Sequence, residues 1–181
     1  MSTADSPFWS FHHLRLAVFA LLTVNTAYYL YAGSLAKALD AAAWLVLLAL
    51  FAFETGLDSR MHSTRTRLAI RTLRLLAALG VCGAGVGYVL EGDSLDVVNF
   101  ALWISVFVLL ELEVRRPRVV ARFGRAFTLT AAMLYAGLAL LVLVWAWRGE
   151  WFDAYDALLW LAGFAIIEMD VLASTSTNAA G

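Results

Sequence analysis

Cysteine, lysine and histidine are nearly missing from this chain, and each scarcity closes off a chemistry. The single cysteine, Cys82, excludes an intrachain disulfide and a paired-cysteine zinc site. It lies inside an apolar stretch and reads as a small buried residue. Lysine occurs once, as Lys37 in a polar turn, so no helix interior offers an amine for a retinal Schiff base. His12, His13 and His62 fall outside the apolar runs, which argues against haem or quinone ligation. A His-Glu-x-x-His pattern, a phosphate-cradling loop and a glycine-flanked serine nucleophile are also missing. The residues therefore point away from an enzyme and call for no metal and no cofactor.

Charge is scarce too. Charged residues make up 15% of the 181, hydrophobic residues 62%, and the mean hydropathy is +0.79. A soluble fold of this size could not hide so much apolar surface. The charges are segregated, with apolar runs near 14–32, 41–57, 72–90, 97–114, 126–147 and 156–173 separated by short polar clusters. Each run is long enough to cross a hydrocarbon core about 30 Å thick. The expected fold is an all-α integral membrane protein with six transmembrane helices: a single domain over 14–173, preceded by a cytoplasmic segment 1–13 and followed by a disordered cytoplasmic tail 174–181. Ser34-Leu35-Ala36 resembles a small-x-small cleavage site, but the run before it is long and its leader holds one arginine, so it reads as a retained span.

Orientation follows from arginine placement. Arg60, Arg65, Arg67, Arg71 and Arg74 lie between runs two and three, and Arg115, Arg116, Arg118, Arg122 and Arg125 between runs four and five. The opposite loops hold only Lys37 and Arg148 among Asp40, Glu91, Asp93, Asp96, Glu150 and Asp153. Positive charge in short loops stays cytoplasmic, which puts both termini on that side of the inner (plasma) membrane. Tyr28, Tyr29, Tyr31, Tyr88, Trp145, Trp147 and Trp151 are placed for an outer aromatic belt, with Phe8, Trp9 and Phe11 at the inner one.

What the chain does have is a repeat. Glu54, Glu111 and Glu168 each close an apolar run and are 57 residues apart both times. Asp40, Asp96 and Asp153 precede them by 14, 15 and 15 residues, about 22 Å along a helix, with Trp44, Trp103 and Trp160 between. At the start of the outward runs, Arg67, Arg71 and Arg74 share a 4-then-3 spacing with Arg118, Arg122 and Arg125, and His12 and Arg15 keep a reduced version. The pattern predicts three in-out-in hairpins, about 14–57, 72–114 and 126–173, related as parallel repeats.

An ionised carboxylate inside the membrane costs a few kcal/mol unless compensated. Arg15, Arg74 and Arg125 are the natural partners for Glu54, Glu111 and Glu168, as clasps that close each hairpin. The alternative is a ring of three glutamates in a small oligomeric proton or cation channel. Against it, the positions sharing a face with each glutamate are Phe51, Leu50 and Leu47; Val108, Phe107 and Ile104; and Ala165, Phe164 and Leu161. No polar track continues from the ring. Thr23, Asn25, Thr26 and Ser105 are expected to make hydrogen bonds between helices. In "LGVCGAGVGY" the small-xxx-small spacing of Gly83 and Gly87, with Gly80, predicts close helix packing. Arg67, Arg71, Arg118 and Arg122 sit beside the membrane, where anionic headgroups rather than nucleic acid are the expected partner. The overall expectation is a non-enzymatic accessory, scaffold or assembly component that contacts lipid and a second copy or another membrane protein.

Overall fold

The computed structural model describes the backbone of residues 7–56 and 64–179, and side chains over 13–14, 16–50, 53, 65–113, 116 and 118–165. Among the described residues the chain forms seven helices and no strand: α1 (Pro7–Ala32), α2 (Leu35–Gly56), α3 (Thr64–Glu91), α4 (Ser94–Arg115), the short α5 (Pro117–Arg122), α6 (Gly124–Arg148) and α7 (Trp151–Ala179). Arg65–Glu91, Ser94–Glu113 and Gly124–Arg148 are long and apolar enough to cross a membrane, and Leu16–Ala32 is a shorter apolar stretch. The protein is all-helical, with three membrane-spanning candidates among the described residues.

The helices outrun the apolar runs at both ends. Proline is tolerated in the first helical turn, where its missing N–H loses nothing, and α1 opens at Pro7 inside the segment read as 1–13. At the other end α7 continues to Ala179 through most of the stretch read as a disordered tail. No glycine or proline interrupts Val171–Ala179, and alanine, serine and threonine add no break of their own.

Two turns share one construction. Gly92 and Gly149 adopt φ +74° and +80°, the left-handed region. The Gly92 N–H donates to the Val89 carbonyl (3.3 Å) and the Asp93 N–H to the Tyr88 carbonyl (3.2 Å). Likewise Gly149 donates to Ala146 (3.2 Å) and Glu150 to Trp145 (2.9 Å). Both sets form the Schellman arrangement that satisfies the last carbonyls of a helix. Asp93 Oδ1 then accepts from the N–H groups of Leu95 (3.2 Å) and Asp96 (3.3 Å), capping α4.

The chain divides into two compact units, Thr23–Val97 and Met1–Leu22 with Val98–Gly181. In the first, α2 and α3 pack most closely, antiparallel along a seam of small residues. A Cβ added at Gly80 would meet Ala43 Cβ at 3.2 Å, one at Gly83 would meet Leu39 Cδ2 at 3.4 Å, and one at Gly87 would meet Ala36 Cβ at 2.8 Å. Ala77, Val81, Ala84 and Ala41 are buried in the same unit. Between apolar helices such a seam acts through van der Waals contact, because bare backbone surfaces can approach closely. In the second unit α6 packs against α7, the Trp103 and Phe164 rings meet tilted at 38° with centroids 4.9 Å apart, and Val106, Leu138, Leu141 and Trp145 are buried.

Three side-chain expectations change. Tyr29, Tyr88 and Trp145 are buried, so only Tyr28, Tyr31, Trp147 and Trp151 of the outer aromatics present an exposed ring. Ser105 is exposed and donates to the Ala101 carbonyl of its own helix (2.7 Å), the local bond open to any mid-helix serine, instead of reaching across to another helix. Cys82, read as buried, is exposed.

Candidate functional site

A cluster of polar contacts among the described residues lies in the Thr23–Val97 unit, where α2 begins, α3 ends and α4 begins. The Ser34 hydroxyl oxygen accepts from the Lys37 N–H (3.3 Å) and its O–H donates to Glu91 Oε2 (2.8 Å). Three-residue spacing puts Lys37 and Asp40 on one side of the first turns of α2, and Tyr88 and Glu91 on one side of the last turn of α3. The Tyr88 hydroxyl donates to Asp40 Oδ2 at 3.1 Å. Lys37 Nζ stands 3.2 Å from Asp96 Oδ2, an ion pair by distance though not aligned as a hydrogen bond.

The Ser34–Glu91 bond is exposed, whereas the Tyr88–Asp40 bond and the Lys37–Asp96 pair are shielded. Asp96 is 5% exposed, and the side chains of the Lys37–Asp96 pair are 20% and 8% exposed. A buried ion pair adds little net stability over an apolar substitute, but losing one member leaves a dehydrated charge behind. The cluster therefore fixes three helix ends in register. Chemically it pairs one ammonium, one phenol and one aliphatic hydroxyl with carboxylates, which makes a latch. Among the described residues no group of three or more histidine, cysteine or carboxylate side chains is placed to hold a metal ion.

The residues singled out from sequence fall elsewhere. Glu54 and Glu168 lie on α2 and α7 and Arg15 on α1, but their side chains are outside the described residues, as is the loop with Arg60 and His62. Glu111 is half-buried on α4, Arg74 is exposed on α3, and they belong to different compact units. Arg67 and Arg71 are exposed near the start of α3. Arg118 and Arg122 are exposed on α5, close in sequence to exposed Arg125 at the start of α6. Gly80, Gly83 and Gly87 line the seam with α2, where Gly80 and Gly87 make the tighter approaches.

The latch does not stand out in the sequence, where Lys37 reads as a minor loop charge, Asp40 and Asp96 as markers of helix starts, and Tyr88 as an interfacial aromatic. One signal was available: the only lysine of the chain stands a single helical turn before an aspartate, in loops otherwise dominated by acids. No described protein family matches the chain, and no curated protein or solved structure is significantly similar to it.

Proposed function

We propose that this protein is a non-enzymatic, multi-pass component of the inner (plasma) membrane, serving as an accessory, scaffold or assembly subunit. In this reading it crosses six times as three in-out-in hairpins with both termini cytoplasmic. The distribution of polar groups along α3 carries the proposal. Arg65, Arg67, Arg71 and Arg74 occupy its first turns, Tyr88 and Glu91 are tied into the latch at its last, and between them runs the glycine seam against α2. A helix anchored at both ends and sealed by close packing between them suits a structural element better than a conduit.

The repeat gains support from the turns. Gly92 and Gly149, with matching left-handed φ and matching hydrogen bonds, are 57 residues apart, the interval that also separates Trp103 from Trp160 and Glu111 from Glu168. Arg15–Glu54, Arg74–Glu111 and Arg125–Glu168 then serve as the clasps of the three hairpins. Exposed Arg67, Arg71, Arg118 and Arg122 hold anionic headgroups of the cytoplasmic leaflet. The broad exposed faces with Leu75, Leu79 and Leu140 meet lipid, a second copy or another membrane protein.

The deciding experiment is proton and cation flux into liposomes containing the purified protein, beside a variant with Glu54, Glu111 and Glu168 all changed to glutamine and shown to fold. The scaffold reading expects no flux above empty liposomes. Flux lost in the folded variant would replace it with a carboxylate-dependent channel or transporter.

A further inference from the structure

The segment between α4 and α6 is more than a loop. Arg116 leaves helical geometry at φ −131° and ψ 51°, as a residue before proline tends to. Pro117 opens α5, and the chain leaves helical geometry again at Phe123, φ −115° and ψ 28°. The Phe123 N–H closes α5 on the Val119 and Val120 carbonyls (3.1 and 3.2 Å), and the Phe127 N–H starts α6 on the Phe123 carbonyl (3.0 Å). A six-residue helix about 9 Å long is thus set off between two apolar helices.

Its surface is unusual for a polar connection. Val119 is 51% and Phe123 57% exposed, and with Val120 they form one side of the helix at three- and four-residue spacing. Arg118 and Arg122 are exposed on the adjoining side, with exposed Arg116 and Arg125 at either end. The Arg122 guanidinium lies 5.6 Å from the centroid of the Phe123 ring, over its face. An aqueous loop gains nothing from an exposed phenylalanine ringed by arginines. At a headgroup boundary the same set is complementary twice over, the apolar side to acyl chains and the guanidinium groups to phosphodiesters. Pairing the arginine with the ring lets both enter that boundary together.

We infer that the α5 elbow is an interfacial anchor for an anionic leaflet, with Val119 and Phe123 seated at the headgroup–acyl boundary and Arg118, Arg122 and Arg125 gripping the lipid phosphates. It rests on the membrane reading above and adds to it a defined point of lipid contact. It also explains why the connection is helical: a helix satisfies its own backbone groups where water is thin.

Depth measurement by spin-label relaxation tests it. In a Cys82→Ser background, a label is placed at Val119→Cys, and in a second sample at Leu140→Cys on the exposed face of α6. Both are reconstituted into vesicles of phosphatidylglycerol and phosphatidylcholine. The anchor requires the 119 label to be shielded from a water-soluble nickel relaxant and reached by oxygen, about 5–10 Å below the phosphates. It requires the label to move outward in phosphatidylcholine alone, in Phe123→Ser, and in a triple glutamine variant at Arg118, Arg122 and Arg125, while the 140 label stays deep. Inorganic phosphate at matched ionic strength should leave the depth unchanged; a shift would mean the arginines bind free phosphate and overturn the lipid assignment. A 119 label open to nickel beside a deep 140 label would overturn the anchor alone. A 119 label shielded from both relaxants would place the elbow in a protein contact and overturn it as well. A 140 label open to nickel would overturn the membrane reading itself.

Discussion

Replacing Lys37 with methionine asks whether the latch holds three helix ends together. The ammonium lies 3.2 Å from Asp96 Oδ2, with side chains 20% and 8% exposed. At that distance and an effective dielectric constant of about 20, the gross attraction is about 5 kcal/mol, most of it offset by the cost of dehydrating both ions. Methionine keeps the packing of the lysine stem and removes only the charge, so the aspartate keeps its dehydration cost without the compensation. Breaking a buried pair from one side costs about 3–5 kcal/mol.

The expected loss at pH 7 corresponds to a fall in melting temperature on the order of 10 °C for a chain of this size. Thermal unfolding in detergent micelles, followed by circular dichroism, reads it. Adding Asp96→Leu removes the stranded charge and should recover most of the loss. An unchanged melting temperature at pH 7, or a loss that Asp96→Leu fails to relieve, would refute the reasoning.

The remaining expectations use the same unfolding measurement. Gly87→Ala should cost about 1–3 kcal/mol, because its Cβ would sit 2.8 Å from Ala36 Cβ, whereas Gly83→Ala, with a single contact at 3.4 Å, should be neutral or slightly stabilising; equal effects would remove the seam from the account. Tyr88→Phe should cost about 1–2 kcal/mol by taking the hydroxyl from Asp40, and a silent change would show that this bond contributes nothing. Gly92→Ala and Gly149→Ala should each lose about 1–2 kcal/mol, since both hold left-handed φ in open space and strain is the only cost; markedly different losses would argue against equivalent turns.

How much of this was legible in the sequence depends on whether the signal was periodic. Long helices follow from apolar run length: the six runs fall on α1, α2, α3, α4, α6 and α7, of which α3, α4 and α6 are long and apolar enough to cross a membrane among the described residues. The crowded glycines marked a packing helix, because in an apolar segment glycine has little to offer beyond close approach. The partner of that seam was not legible: Ala36, Leu39 and Ala43 look like any other apolar positions, and nothing local specifies that α2 meets α3 as closely as it does. The latch was hidden for a related reason. Each member lies in a short loop or a helix terminus, where no repeat distance links Lys37 to Asp96 or Asp40 to Tyr88; only the tertiary fold brings them within 3.2 Å. The elbow is half legible, since its clustered arginines stand out, but Val119 and Phe123 gain meaning only once a helix break leaves them exposed.

The latch and the seam also explain each other. A glycine–alanine seam between apolar helices is insensitive to small sliding or rotation, because small residues make shallow ridges and grooves. Polar contacts have the opposite character: Tyr88 reaches Asp40, and Ser34 reaches Glu91, in only one register of α2 against α3. Placed at one end, where the loops shorten the connection to α4, they convert a permissive contact into a defined one. Lys37 extends the same constraint to Asp96, in the first turn of α4 beyond the left-handed turn at Gly92. Close approach along the seam supplies the attraction, and the buried charges select which of several similar packings is adopted, the role in which a costly buried polar group is best justified.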